Sequence, residues 1–175
     1  MDFGRVVTAL ITPFHEDGSI DYERLSSLLH HLSEHGTETF LMAGTTGESP
    51  TLSHQEKLDL FRFAVKEVGN RVKIIAGTGS NNTAASVELT KEAEAIGVDG
   101  IMLVAPYYNK PSQEGLYRHF KTIAEATPLP VMLYNIPGRA SVNISAKTII
   151  RLAEIPNITS VKEASGDLTQ MAEII

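Results

Sequence analysis

Short apolar runs recur about every 30 residues along this chain, and their spacing limits the possible folds more than any other feature of the sequence. Within each run the apolar residues are nearly continuous rather than alternating, which is typical of strands in a parallel sheet covered on both faces. We therefore predict six parallel strands, at residues 6–10, 40–43, 74–76, 101–105, 131–134 and 158–161.

The segments between these strands have the apolar spacing of amphipathic helices. Leu25, Leu28, Leu29 and Leu32 follow the i, i+3, i+4, i+7 pattern that places one stripe of a helix against a sheet. Two later segments repeat that spacing, with Leu58, Phe61, Val65 and Val68 in the first and Leu116, Phe120 and Ile123 in the second. Five complete helices are predicted, and a sixth is expected to begin near Asp167.

The predicted helix ends carry residues that can satisfy unpaired backbone groups. Ser53 and Glu56 have the spacing of a capping box. Further candidate N-caps are Thr83, Ser112 and Ser145, and candidate C-terminal glycines are Gly36, Gly69 and Gly97.

Repeated strand and helix units leave two architectures open, a closed eightfold barrel and an open doubly wound sheet. No linker or low-complexity tract divides the chain, so we predict a single domain over residues 1–175. A complete barrel takes about 200 to 250 residues or more, so length favours the open sheet. The sequence stops at Ile175 inside an amphipathic helix, however, and we expect it to be truncated.

The composition excludes several classes of protein. The chain has 15 Lys and Arg against 21 Asp and Glu, so no basic patch for nucleic acid or an anionic membrane is expected. It has no cysteine, which excludes disulfides, thiolate zinc sites and a cysteine nucleophile. No apolar run approaches the ~18 to 20 residues of a membrane span, and residues 1–5 do not start a signal peptide. We expect a cytoplasmic protein.

Polar and glycine-rich residues follow the predicted strands. Because the carboxyl ends of parallel strands lie on one face, these segments are expected to form a shared site. They are Gly44-Thr45-Thr46-Gly47-Glu48, Gly77-Thr78-Gly79, Pro106-Tyr107-Tyr108-Asn109, Tyr134-Asn135-Ile136-Pro137-Gly138-Arg139 and Lys162-Glu163.

Lys162 is the candidate nucleophile, because desolvation at a strand end would lower its amine pKa. The alternative is a lysine whose amine extends into water. Thr45, Tyr108 and Tyr134 could pass a proton between hydroxyls, although each tyrosine could instead be a core aromatic. Arg139 is placed to bind a carboxylate bidentately, unless it is simply a solvated loop arginine after a Pro-Gly turn.

Three other patterns are weaker. His31-Leu32-Ser33-Glu34-His35 matches a metalloprotease motif but has no evident third ligand, and a polar helix face explains it. Gly77-Thr78-Gly79 begins like a dinucleotide fingerprint, but Asn82 stands at the third glycine position. Glu163 would point away from Lys162 in an alternating strand, which favours a structural role.

Four motifs together resemble the pyruvate-dependent class I aldolases of the dihydrodipicolinate synthase and N-acetylneuraminate lyase superfamily, and most of all the dihydrodipicolinate synthases. They are Gly44-Thr45-Thr46-Gly47-Glu48, residues 106–115, residues 134–139, and Val161-Lys162-Glu163-Ala164-Ser165-Gly166. The resemblance runs from about Val6 to the last residue. It implies a TIM (β/α)8 barrel, of which this chain covers about six β/α units.

The resemblance also implies a lyase that forms a Schiff base between Lys162 and pyruvate, in lysine and diaminopimelate biosynthesis. Thr45, Tyr108 and Tyr134 would form a proton relay, Thr46 would hold the pyruvate carboxylate, and Arg139 would bind aspartate 4-semialdehyde. Tyr108 would reach a neighbouring subunit's site and Tyr107 would pack at that contact, in a homodimer or homotetramer. No metal or organic cofactor is implied.

Two alternatives stay open at this point. One is a related pyruvate lyase, such as N-acetylneuraminate lyase or a keto-sugar-acid aldolase. The other is a catalytically silent partial barrel that only assembles or binds.

Insensitivity to lysine is also expected. The positions that resemble those of lysine-inhibited family members include Ser49, His54, Asn81 and Tyr107. Ala85 stands where those members have a glutamate, and Lys57 replaces a histidine.

Overall fold

The computed structural model describes residues 3–175 in two compact units. Among these residues, the first unit comprises residues 3–77 with Glu92–Asp99, and the second comprises Thr78–Lys91 with Gly100–Ile175. Residues 1 and 2, on which part of the signal-peptide prediction depends, lie outside the described residues. The expectation of one domain over residues 1–175 stays a prediction.

The first unit has three parallel strands in chain order, with Thr8 opposite Phe40 and Phe40 opposite Ile74. Its elements are β1 (Val7–Ala9), α1 (Tyr22–Glu34), β2 (Thr39–Met42), a 3-10 turn (Ser49–Thr51), α2 (His54–Val68) and β3 (Lys73–Gly77). Helix α3 (Thr83–Ile96) follows and contributes residues to both units.

Local sequence explains the helices of the first unit. Helix α1 begins after Asp21, whose side chain accepts a hydrogen bond from the Arg24 N–H at 2.9 Å, and Leu25 and Leu29 on this helix are buried. Ser53 and Glu56 form the predicted capping box at the start of α2. Of the residues in the predicted stripes of these two helices, Leu28, Leu32 and Val65 are only partly buried, and the others are buried.

The second unit also has three parallel strands in chain order. Its elements are β4 (Gly100–Val104), α4 (Gln113–Ala124), β5 (Val131–Asn135), α5 (Pro137–Ala140), α6 (Ala146–Leu152), β6 (Ile158–Glu163) and α7 (Leu168–Ile174). Leu103, Phe120 and Leu133 lie in its hydrophobic core. Helix α7 begins next to Asp167, as predicted, and Asp167 caps it by accepting hydrogen bonds from the N–H groups of Thr169 and Gln170.

All six predicted strands are present, with bounds that differ by up to two residues. Ser112 and Ser145 are N-caps, but Thr83 is not. Helix α3 begins at Thr83, and the Asn82 carboxamide accepts the Ala85 N–H at 3.2 Å. The Thr83 hydroxyl is instead hydrogen-bonded to a histidine on α4, a tertiary contact that local spacing does not predict.

The Pro-Gly turn predicted before Arg139 is a one-turn helix, α5, because Pro137 suits the first helical position, where an N–H has no partner. The preference for an open sheet, drawn from length, is also wrong. In each unit consecutive strands lie side by side in parallel, as they do in a β/α barrel. Chain length limits how many strand and helix repeats a fold can have, but it does not distinguish a barrel from an open sheet; the pairing of the strands does. The six strand and helix repeats have the β/α pattern of a TIM barrel.

Among the described residues, no helix is both long enough and apolar enough to cross a bilayer.

Candidate active site

Lys162 and Tyr134 lie side by side at the carboxyl ends of β6 and β5. They are paired in the parallel register of these strands, and the Lys162 Nζ atom is 4.3 Å from the centroid of the Tyr134 ring. Tyr134 is 4% exposed, so its ring forms a fixed surface beneath the amine. An amine at this distance from an aromatic face is within the range of a cation–π contact.

The surroundings of Lys162 change its ionisation. The side chain is partly buried, and burial lowers the pKa of the amine from its ordinary value. A lower pKa increases the fraction of neutral amine, the form that attacks a carbonyl. The direction agrees with the desolvation expected from the sequence.

Asn135 and Glu163, the next residues along these two strands, form a polar network. The fully buried Asn135 donates from Nδ2 to both Glu163 carboxylate oxygens, at 3.1 and 3.0 Å. Glu163 also accepts from the Ser165 N–H at 2.8 Å and from Gln170 Nε2 at 3.1 Å. The network therefore ties both strand ends to the start of α7.

Burial raises the pKa of Glu163, but hydrogen bonds from Ser165, Asn135 and Gln170 outweigh it, so the pKa is lower than usual. These contacts agree with the structural role predicted for Glu163. Sequence reasoning missed Asn135 and Gln170 as its partners. A polar residue at the end of an apolar strand was the available signal for Asn135, whereas Gln170 gave none.

The loop after β4 presents two tyrosines differently. Tyr107 is partly buried and packs against the hydrophobic core, whereas Tyr108 is 89% exposed. Tyr108 has a φ of 72°, a conformation that is uncommon for a bulky residue. Asn109 and Asn81 hold the loop, since each donates a side-chain hydrogen bond to the other residue, at 3.2 and 3.1 Å. Tyr108 is therefore not a core aromatic, whereas Tyr134 is buried.

Arg139 lies on the one-turn helix α5, where its N–H donates to the Ile136 carbonyl at 3.0 Å. Its side chain is exposed and has no ion pair with a carboxylate within residues 3–175. Helix α5 begins at the end of β5, directly after the segment that contains Tyr134. The guanidinium is therefore available to an external carboxylate.

In the first unit, Thr45 and Thr46 are exposed in the loop that follows β2. The loop is closely held, because Thr12 Oγ1 donates to the Gly47 carbonyl at 2.8 Å. A Cβ atom at Gly47 would lie only 2.9 Å from the Leu10 carbonyl oxygen, so this turn requires glycine.

The other two of the three weaker sequence patterns also have structural explanations. His31 and His35 stack on α1 with ring centroids 4.2 Å apart, and His35 Nδ1 is 2.6 Å from the His31 carbonyl oxygen. No group of three metal-ligating side chains lies within residues 3–175. A Cβ atom at Gly79 would lie 2.6 Å from the Val104 nitrogen, so Gly79 permits close backbone packing on β4.

The parallel strands and helices have the pattern of part of a β/α barrel, and a partly desolvated lysine at a strand end is a candidate nucleophilic amine. The profile of the dihydrodipicolinate synthetase family matches residues 2–175, and the chain belongs to this family. A 4-hydroxy-tetrahydrodipicolinate synthase of Bacillus velezensis is 61% identical over 100% of this chain and 61% of its own length.

Solved structures agree with this assignment. A dihydrodipicolinate synthase from Bacillus anthracis is 58% identical, with a TM-score of 0.98 over 100% of this chain and 60% of that chain. The chloride-inhibited dihydrodipicolinate synthase from Acinetobacter baumannii, complexed with pyruvate, is 46% identical with a TM-score of 0.96, over 99% of this chain and 60% of that one. The chain therefore spans about three fifths of the length of these relatives.

Proposed function

We propose that the protein is a class I, Schiff-base-forming lyase that condenses pyruvate with L-aspartate 4-semialdehyde to give 4-hydroxy-tetrahydrodipicolinate. The observation that carries this proposal is the Lys162 amine, partly buried and 4.3 Å from the centroid of the Tyr134 ring. Membership of the family supports the choice of reaction. In this proposal the reaction belongs to lysine and diaminopimelate biosynthesis, takes place in the cytoplasm and needs no cofactor.

The neutral Lys162 amine would attack the C2 carbonyl of pyruvate. The resulting carbinolamine loses water to give a protonated imine, which withdraws electrons from the adjacent methyl carbon. That carbon loses a proton, and the enamine forms a bond to the aldehyde carbon, whose oxygen takes up a proton. The amino group of the semialdehyde then attacks the imine carbon, which closes the ring and releases Lys162.

The other site residues receive roles by their resemblance to the family. Tyr134, Tyr108 and Thr45 would pass protons, and Thr46 would bind the pyruvate carboxylate. Arg139 would bind the carboxylate of the semialdehyde, and its exposed, unpaired guanidinium supports this role.

Subunit assembly is part of the same proposal. An aromatic ring as exposed as that of Tyr108 suits a contact with another subunit, and Tyr107 beside it would pack at that contact. We therefore propose a homodimer or homotetramer. A related pyruvate lyase is the second candidate reaction, and it differs by the aldehyde accepted. A silent partial barrel is not favoured, because all four motifs are intact.

Trapping with pyruvate and borohydride tests the proposal. Reduction of the imine should add a pyruvyl-derived group to Lys162 of the intact protein, and peptide mass spectrometry should locate it. Lys162→Ala should abolish the adduct, whereas Lys147→Ala serves as the control. An adduct that maps to Lys73, Lys110 or Lys147 would contradict the assignment of the nucleophile.

A further inference from the structure

The network behind the Lys162 and Tyr134 pair has no part in the proposed chemistry. Asn135 is opposite Glu163 in the strand register, one residue beyond the pair formed by Tyr134 and Lys162. Because side chains alternate across a strand, Asn135 and Glu163 point away from the amine. Their contacts with Gln170 on α7 agree with that orientation.

The backbone dictates the orientation of the Asn135 carboxamide. The Ile144 N–H donates to Asn135 Oδ1 at 3.0 Å, so the amide group Nδ2 must face the other way. There it donates to Glu163 and, at 2.7 Å, to Asn143 Oδ1. Asn143 in turn donates from Nδ2 to Gln170 Oε1 at 2.7 Å, which directs Gln170 Nε2 toward Glu163.

The side chain at position 163 consequently meets only donors. Oε1 accepts from Ser165 N–H and Asn135, and Oε2 accepts from Asn135 and Gln170. An ionised carboxylate accepts at both oxygens, whereas a glutamine would turn an NH2 group toward one of these donors. The site therefore requires a charged glutamate, in agreement with its lowered pKa.

We propose that Glu163 is a positioning residue for Lys162, because its carboxylate fastens the end of β6 to the end of β5 and so keeps the amine over the Tyr134 ring. That the Lys162 amine must be held over the Tyr134 ring for catalysis rests on the proposed function. That Glu163 holds the amine there does not. Each of the three donors comes from a different segment, namely β5, α7 and the loop after β6. Without the carboxylate these donors would have no acceptor, and the end of β6 that bears Lys162 would no longer be held in place.

A double variant that exchanges the carboxylate and the amide between positions 135 and 163 should restore the network. In the double variant Asn135→Asp with Glu163→Gln, the carboxylate introduced on β5 would accept from Ile144 N–H and from the new glutamine amide. The oxygen of that glutamine would accept from the Ser165 N–H. The side-chain amides of Asn143 and Gln170 would both flip, so that their oxygen and nitrogen atoms exchange places. The hydrogen bonds among the side chains are then restored with the charge moved to the other strand, whereas the Ile144 carbonyl loses its contacts with Gln170 Nε2 and Asn135 Nδ2, at 3.3 and 3.5 Å.

The decisive measurement is the pKa of the Lys162 amine, obtained by competitive acetylation across pH and peptide mass spectrometry. In Glu163→Gln the displaced amine should enter water, so its pKa should rise toward the ~10.4 of a solvated lysine. Loss of a nearby negative charge alone would lower that pKa, and a purely structural role would leave it unchanged. Either of those two results would overturn the proposal.

The matched control is Glu173→Gln, which removes the same charge from an exposed position on α7. It should leave the Lys162 pKa at its wild-type value. The double variant should return the pKa to that value, and a failure to recover would also overturn the proposal. If Glu163→Gln does not fold, Glu163→Asp is the substitute, because it keeps the charge but shortens the side chain by one methylene. The pKa of the Lys162 amine should rise in this variant too.

A second readout connects the position of the amine with the reaction. The rate of pyruvate trapping at Lys162 should fall by about tenfold to about 10²-fold in Glu163→Gln, as expected for a reacting group displaced by about 1 Å. An unchanged trapping rate in that variant would overturn the proposal. Absence of the adduct in the wild type would overturn the proposed function alone, since the acetylation measurement uses no pyruvate.

Discussion

The Tyr134 side chain has two separable parts, a buried ring that contacts Lys162 and a hydroxyl that we assign to proton transfer. Tyr134→Phe removes only the hydroxyl, so the ring should stay in place beneath the amine. Turnover should fall by about 10² to 10⁴, the range for lost general acid–base catalysis. Steady-state kinetics measure that fall, and a thermal melt checks that folding survives. Turnover within twofold of the wild type would exclude Tyr134 from the relay.

Arg139 allows the aldehyde specificity to be tested without disturbing the fold. Its side chain is exposed, so Arg139→Ala should change the free energy of unfolding by less than about 0.5 kcal/mol. The Michaelis constant for aspartate semialdehyde should rise, while trapping of pyruvate at Lys162 stays unchanged. Arg118→Ala, another exposed arginine in the same unit, is the control. Unchanged semialdehyde kinetics would favour the related lyase.

At the scale of elements, a buried histidine joins α3 and α4. His119 Nδ1 is 2.8 Å from the Thr83 hydroxyl, and Nε2 has no hydrogen-bond partner within residues 3–175. Burial lowers the pKa of His119 to about 4. An unfolded histidine has a pKa of about 6.5, so the unfolded chain binds this proton first as the pH falls. Stability from the neutral histidine is therefore complete above about pH 6.5 and is lost between about pH 6.5 and pH 4.

Urea unfolding at about pH 7.5, 6 and 5 measures this loss, with His119→Gln as the variant that cannot titrate. The wild type should lose about 2 kcal/mol more than the variant between pH 7.5 and 5, with most of that loss below pH 6. Other titrating groups cancel in the comparison. Parallel pH profiles for the two proteins would show that His119 does not govern this dependence.

Strands and most caps are predictable because their signals are local. Continuous apolar runs define β1 to β6, and the capping box of Ser53 and Glu56 depends on residues three apart. Thr83 has the residue type of a cap, but its hydroxyl bonds His119, 36 residues away. The sequence contains no signal for that contact, because it depends on how α3 and α4 pack.

At the scale of the whole molecule, parallel topology accounts for the part of the site that the sequence could predict. Side chains that follow strands lie at their carboxyl ends, which was enough to predict that Lys162 and Tyr134 lie close together in the candidate site. The register that sets them side by side, and the network of Asn135, Glu163 and Gln170 behind them, depend on tertiary hydrogen bonds. Spacing in the sequence does not encode those partners.

Regulation is a property of the whole molecule, and from the resemblance to the family we expect the sequence to depart from its lysine-inhibited members. Ala85 is an exposed residue of α3, at the position where we expect those members to have a glutamate that pairs with the ammonium group of lysine. The lost charge-assisted hydrogen bond is worth about 1.5 to 3 kcal/mol. Lys57 on α2 adds a cation where those members have a histidine, although burial lowers its pKa.

We therefore expect lysine to bind at least about tenfold more weakly than it does to sensitive members, and sub-millimolar lysine to leave the activity of the intact protein unchanged. Initial rates measured across a lysine titration test this expectation. Ala85→Glu should increase the potency of lysine, because it restores a carboxylate, whereas Ala84→Glu adds the same charge at the neighbouring exposed position and should not. Half-inhibition of the wild type by sub-millimolar lysine would refute the prediction, and Ala85→Glu should then have little further effect.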